Sequence, residues 1–110
     1  KIMTIQLRQI CLVAEQLAPV IDDLTAILGI DSCYVDPGVG KFGLENNLMP
    51  VGRNFLEVVA PIQDNTAAGR YLQRRQGDGG YMVITQIDTL VLQRCQPLRQ
   101  RLQLMNWNGL

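Results

Sequence analysis

The chain has 110 residues, of which 47% are hydrophobic and 18% charged, a composition that supports one domain with a real core and excludes a disordered chain. Ten basic residues balance ten acidic ones, so there is no electrostatic footprint for nucleic acid, and the zero net charge is compatible with self-association. Histidine is absent, which removes the commonest general base and metal ligand and excludes serine–histidine and cysteine–histidine catalysis within the chain.

Apolar runs are only a few residues long, too short to span a membrane, and no signal-peptide-like region opens the sequence. Cys11, Cys33 and Cys95 are odd in number, far apart and in no CxxC arrangement, so they read as reduced thiols of a cytoplasmic protein.

Residues Ile5 to Ala14 alternate as a strand, with Leu7, Gln9, Cys11 and Val13 on one side and Arg8, Ile10, Leu12 and Ala14 on the other. Leu17, Val20, Ile21, Leu24, Ile27 and Leu28 then recur at helical spacing, Pro19 falls in the first turn, and Gly29 stops the helix. Turn signals at Asp36-Pro37-Gly38 and Pro50-Val51-Gly52 cut the following segment into three short strands, Ser32–Val35, Lys41–Leu48 and Asn54–Ala60. A helix is expected from Asn65 to Gln76, ending at the glycines of GDGG, and a strand from Tyr81 to Ile87. Asp88 caps a further helical stretch through Met105, which Pro97 must kink or restart. The order is βαβββ, a linking helix, then a strand and helix that reopen the same pattern.

These phrases in this order resemble the glyoxalase-like domains of the vicinal oxygen chelate superfamily. Members open with a strand of the form H-x-x-L-x-V-x-D-L and a helix ending in L-G; QICLVAEQL and AILGI stand in those places. FGLENNLMPVGRNFLEVVAP and AAGRYLQRRQGDGG resemble the end of such a module and its closing helix. The resemblance implies an α+β fold with a curved mixed sheet. It divides residues 1–110 into a βαβββ module at 5–62, a linking helix and turn at 63–80, and the strand–helix start of a second module at 81–110.

In that superfamily paired modules enclose a cavity, and a divalent metal is held from the first and last strands. By position these sites fall on Gln9, Glu57 and Tyr81. Gln9 shares its face with Cys11 and Val13, Glu57 with Phe55 and Val59, and Tyr81 with Val83 and Thr85. One carboxylate, one neutral amide and one phenol make a poor set for Zn²⁺ or Fe²⁺ and a sparse one for Mg²⁺ or Mn²⁺. No cofactor is therefore expected, a divalent metal ion being the alternative. Glu57 is either a cavity carboxylate, and then a candidate general base, or an outward-facing residue on a half-solvated sheet. Asn46 and Asn47 are either turn residues or two amides that orient a polar ligand. GDGG lacks the lysine and serine or threonine of a phosphate loop and reads as a turn. The arginines at 70, 74, 75, 94, 99 and 101 read as solvated helix faces.

The candidate ligand-binding residues are Gln9, Cys11, Asn47, Phe55, Glu57 and Tyr81. The expected function is binding of a small, largely apolar or mixed-polarity molecule in a cavity between modules. The alternatives are a metal-dependent lyase, isomerase or dioxygenase of the same superfamily, or a degenerate module serving only assembly. A single module leaves unpaired sheet edges, so a homodimer is expected, with or without exchanged strands, unless these residues are a fragment of a longer chain.

Overall fold

The computed structural model describes residues 5–30 and 33–87. The helical stretch from Asp88 through Met105, and Cys95 with it, lie outside the described residues. Strand β1 (Ile5–Val13) leads into helix α1 (Leu17–Leu28); a 3₁₀ helix (Pro37–Phe42) precedes β2 (Leu44–Val51), β3 (Asn54–Pro61), α2 (Ala67–Arg75) and β4 (Gly79–Ile87). The four strands form one mixed sheet in the order β2-β3-β1-β4, with β1 parallel to β3 and antiparallel to β4. This is the α+β, βαβββ-like arrangement read from the sequence.

α1 ends because Gly29 takes a left-handed conformation, φ 66°, and its N–H bonds back to the Thr25 carbonyl. α2 starts where the Thr66 side chain accepts the Gly69 N–H at 2.9 Å. It stops at Gln76, which takes the left-handed conformation at φ 63° one residue before the first glycine of GDGG.

Several expected boundaries shift: α2 begins at Ala67 and not Asn65, β4 begins at Gly79 and not Tyr81, and three others move for identifiable reasons. Of the strand expected at Ser32–Val35, Ser32 lies outside the described residues and residues 33–35 show one antiparallel bridge, in which Tyr34 and Leu48 exchange hydrogen bonds of 2.8 and 2.7 Å. The strand expected from Lys41 starts at Leu44 instead. Asp36 caps the 3₁₀ helix by accepting the Gly38 N–H, Pro37 supplies its first turn, and Gly43, at φ 72°, ends it. The turn expected at Pro50-Val51-Gly52 falls at Gly52-Arg53, with Pro50 paired to Phe55 and Val51 to Asn54. Gly52, at φ 61°, occupies the first central position, where a two-residue hairpin of type II′ takes glycine. Pro50 is tolerated inside β2 because that strand lies at the sheet's edge.

The sheet has a covered layer on each face. On one, α1 packs Leu17, Val20, Ile21 and Leu24 over Ala14, Met49 and Val58. On the other, α2 packs Ala68 and Leu72 over Cys11, Val13, Leu44 and Val59. Among the described residues no helix is long and apolar enough to cross a membrane.

Met49 has no exposed surface and fills the α1 side of the sheet. Met49→Ala is expected to lower unfolding stability by roughly 2–5 kcal/mol, read from urea midpoints. Ile27→Ala, at a residue 78% exposed, should stay within about 0.5 kcal/mol of the parent.

Candidate functional site

The site is built on β3, the strand between β1 and β2. Glu57 lies opposite Cys11 on β1 and Leu48 on β2. Gln9, level with Phe55, and Asn46, level with Val59, therefore approach Glu57 along opposite diagonals. Gln9 Nε2 donates to Glu57 Oε1 at 2.6 Å, and Asn46 Nδ2 donates to Glu57 Oε2 at 2.8 Å. Asn46 Oδ1 in turn accepts the Asp36 backbone N–H at 3.0 Å, which fixes the amide's orientation. Each carboxylate oxygen thus has an amide donor, although Glu57 is only 6% exposed. Charge-assisted bonds of this kind are the strong ones, roughly 1.5–3 kcal/mol each.

Around this cluster the wall is apolar. A cavity of about 220 Å³ has Gln9 and Glu57 in its lining, together with Val59 and Met82 from the sheet, Phe42 from the 3₁₀ helix and Ala67 from α2. Tyr81 also lines it, its ring 5.1 Å from that of Tyr71. Tyr81 arrives there through a β-bulge. Cys11 pairs with Met82 and Leu12 with Gly80, leaving Tyr81 as the extra residue. The bulge corrects the expected alternation on β4: Met82 and Ile84 line the cavity beside Tyr81, and Val83 is 63% exposed. A second irregularity, at Arg8, leaves Leu7 exposed and outside the buried row of Gln9, Cys11 and Val13.

Of the residues singled out in the sequence, Gln9, Glu57 and Tyr81 line one cavity, and Cys11 is buried beneath it next to Glu57. Phe55 lines a neighbouring open depression of about 240 Å³, its ring edge-on to Tyr34 at 6.2 Å. Asn47 is not brought to the site. It pairs with Val58, whose side chain belongs to the α1 layer, and its buried Oδ1 has no hydrogen-bond partner among the described residues. Asn46 takes the inward place. The signal that finds it is the alternation counted from Leu44, the true start of β2, which brings Leu44 and Asn46 to one face. Asp36, read in the sequence only as part of a turn, carries the Asn46 contact and lines the cavity.

No family model and no curated protein sequence matches the chain. Solved structures do. A hypothetical protein from Bacillus halodurans C-125 superposes with TM-score 0.72 at 15% identity, over 89% of this chain and 69% of that one. Methylmalonyl-CoA epimerase from Mycobacterium tuberculosis superposes with TM-score 0.67 at 18% identity, over 87% and 63%. A variant of the Streptomyces coelicolor methylmalonyl-CoA epimerase, in complex with 2-nitronate-propionyl-CoA, gives 0.66 at 15%, over 87% and 71%. The chain shares the glyoxalase-like fold of these structures. It spans about two thirds of the length of these structures.

The glyoxalase-like fold implies a divalent metal, with Gln9, Glu57 and Tyr81 as its expected holders. The donor set does not fit one as arranged. Both oxygens of the only carboxylate in that trio accept N–H groups, and Gln9 presents its nitrogen, not its oxygen, to Glu57. A hard cation needs further oxygen ligands, and among the described residues no three Asp, Glu, Cys or His side chains cluster.

Cys11 has no exposed surface. Burial pushes its thiol pKa far up, and the charge of the adjacent Glu57 adds to this. Cys11 is therefore a neutral packing residue of the glyoxalase-like core and not a nucleophile. Tyr81 is also raised, first by burial and then by the Cys11 side chain, with Arg74 opposing.

A raised thiol pKa in the folded state sets a sign. The contribution of the neutral thiol is intact below the unfolded thiol's value of 9.0 and is lost as pH rises beyond it. Urea stability should be flat in this respect at neutral pH and fall above about pH 9, with Cys11 supplying up to about 1.4 kcal/mol per pH unit. Cys11→Ala should make that decline shallower; an unchanged slope would show that the thiol has no part in it.

Proposed function

We propose that the chain is a small-molecule-binding protein whose ligand, of mixed polarity, occupies the cavity over Glu57. The observation that carries this reading is a hydrogen-bonded polar pair, Gln9 and Glu57, in the lining of a cavity whose walls, Asp36 and the Tyr81 hydroxyl apart, are apolar. That combination, an apolar wall with a few fixed polar groups, is how ligand pockets obtain both affinity and orientation. Amide donors at both Glu57 oxygens favour recognition over metal-dependent chemistry. The cavity's volume of about 220 Å³ suits a single-ring molecule, or one part of a larger ligand completed by a second module or copy.

Benzyl alcohol is a suitable probe. Saturable amide shifts at Val39, Leu44 and Met82 are expected by heteronuclear NMR, and Ala67→Trp, which fills the cavity from the start of α2, should abolish them. Shifts that stay linear with concentration, or survive Ala67→Trp, would rule the cavity out.

The same reading includes a homodimer. β4 is an edge strand among the described residues and displays Val83 at 63% exposure. Unpaired edges of this kind are normally covered. Light scattering on the 110-residue chain should give twice 12.3 kDa, and a mass of 12.3 kDa at micromolar concentration would dismiss the dimer.

A further inference from the structure

The charge of the cavity narrows its ligand, given the binding reading above. Glu57 is 6% exposed, and its partners Gln9 and Asn46 are neutral. They satisfy hydrogen bonds but cancel no charge. No lysine or arginine lines the cavity among the described residues, whereas a second carboxylate, Asp36, does. Basic side chains on the surrounding elements stand beside the lining and contact other groups. Lys41 lies over the Phe42 ring at 5.1 Å, Arg70 donates to the Asn65 carbonyl, and Arg74 lies over the Tyr71 ring at 5.9 Å. Arg75 donates to the carbonyls of Gly77 and Asp78, and Arg8 borders the neighbouring depression beside Phe55, which shares Gln9 and Asp36 with the cavity.

A buried charge is ordinarily matched by an opposite charge or a metal. Here the metal lacks ligands, and the described residues lining the cavity supply no cation. We infer that the ligand supplies it: the site is built for an organic cation, a protonated amine or related ammonium group carried on an apolar body. The cationic head is placed against Glu57, and the body against Val59, Met82 and the aromatic faces of Phe42 and Tyr81, which also attract ammonium groups. A hydrated divalent ion gains nothing from those apolar walls. An organic anion meets repulsion from both Glu57 and Asp36, in a setting where low dielectric magnifies it.

The test is a matched series on the full chain at neutral pH: benzylamine, benzyl alcohol and benzoate, with Mg²⁺ and Mn²⁺ titrated alone. Benzylamine is expected to bind at least about tenfold more tightly than benzyl alcohol, with benzoate weakest and both metals silent at Glu57. In Glu57→Gln the amine should lose its advantage and fall level with the alcohol. Should that variant not fold, the ranking on the parent chain decides alone. Benzyl alcohol or benzoate matching the amine overturns the cation assignment while leaving the binding site standing. Mg²⁺ or Mn²⁺ displacing benzylamine also overturns it. Failure of all three aromatic probes removes the binding reading itself.

Discussion

Burial of one carboxylate organises the centre of this molecule. Glu57 sits on β3 between two strands that reach it from opposite diagonals, and each contributes one amide. Losing either amide leaves a charged oxygen short of a donor in a place water hardly reaches. The register of β1 on β3, and of β2 on β3, is thereby tied to a polar requirement as well as to the apolar alternation. Asp36 extends the tie to the 3₁₀ segment, because its backbone holds Asn46 while its side chain caps the turn that follows.

The two faces of the sheet are covered unequally, and this produces the site. α1 lies over Ala14, Met49 and Val58 and closes its face with aliphatic side chains. On the opposite face α2 covers Val13, Val59 and Leu44 but leaves the Glu57 end to the short 3₁₀ helix and Tyr81. The gap between those covers is the cavity. Its polarity comes from the sheet and its apolar walls from everything laid over the sheet.

Much of this was legible in the sequence, for a physical reason. Alternation from Gln9 to Val13 and around Glu57 on β3 places Gln9, Cys11 and Glu57 on one face without knowledge of their partners. Asn46 was harder, because its facing depends on where β2 starts, and that is set by the Asp36 cap and the conformation of Gly43. The facing of β4 was not legible at all: the Tyr81 bulge exists only in relation to β1, so no pattern internal to Tyr81–Ile87 reveals it. Pro50 misled for a similar reason, since proline breaks a central strand but not an edge.

The bulge also makes β4 a strand with two reading frames. On the Gly79–Gly80 side, a change of one residue in length alters pairing at two positions without side chains. On the Met82 side, the same change rotates Met82 and Ile84 out to solvent and brings Val83 and Thr85 in, replacing a thioether and an aliphatic wall by a shorter, partly polar one. Chain length near Tyr81, more than residue identity, is therefore the lever by which this wall of the cavity can be re-specified.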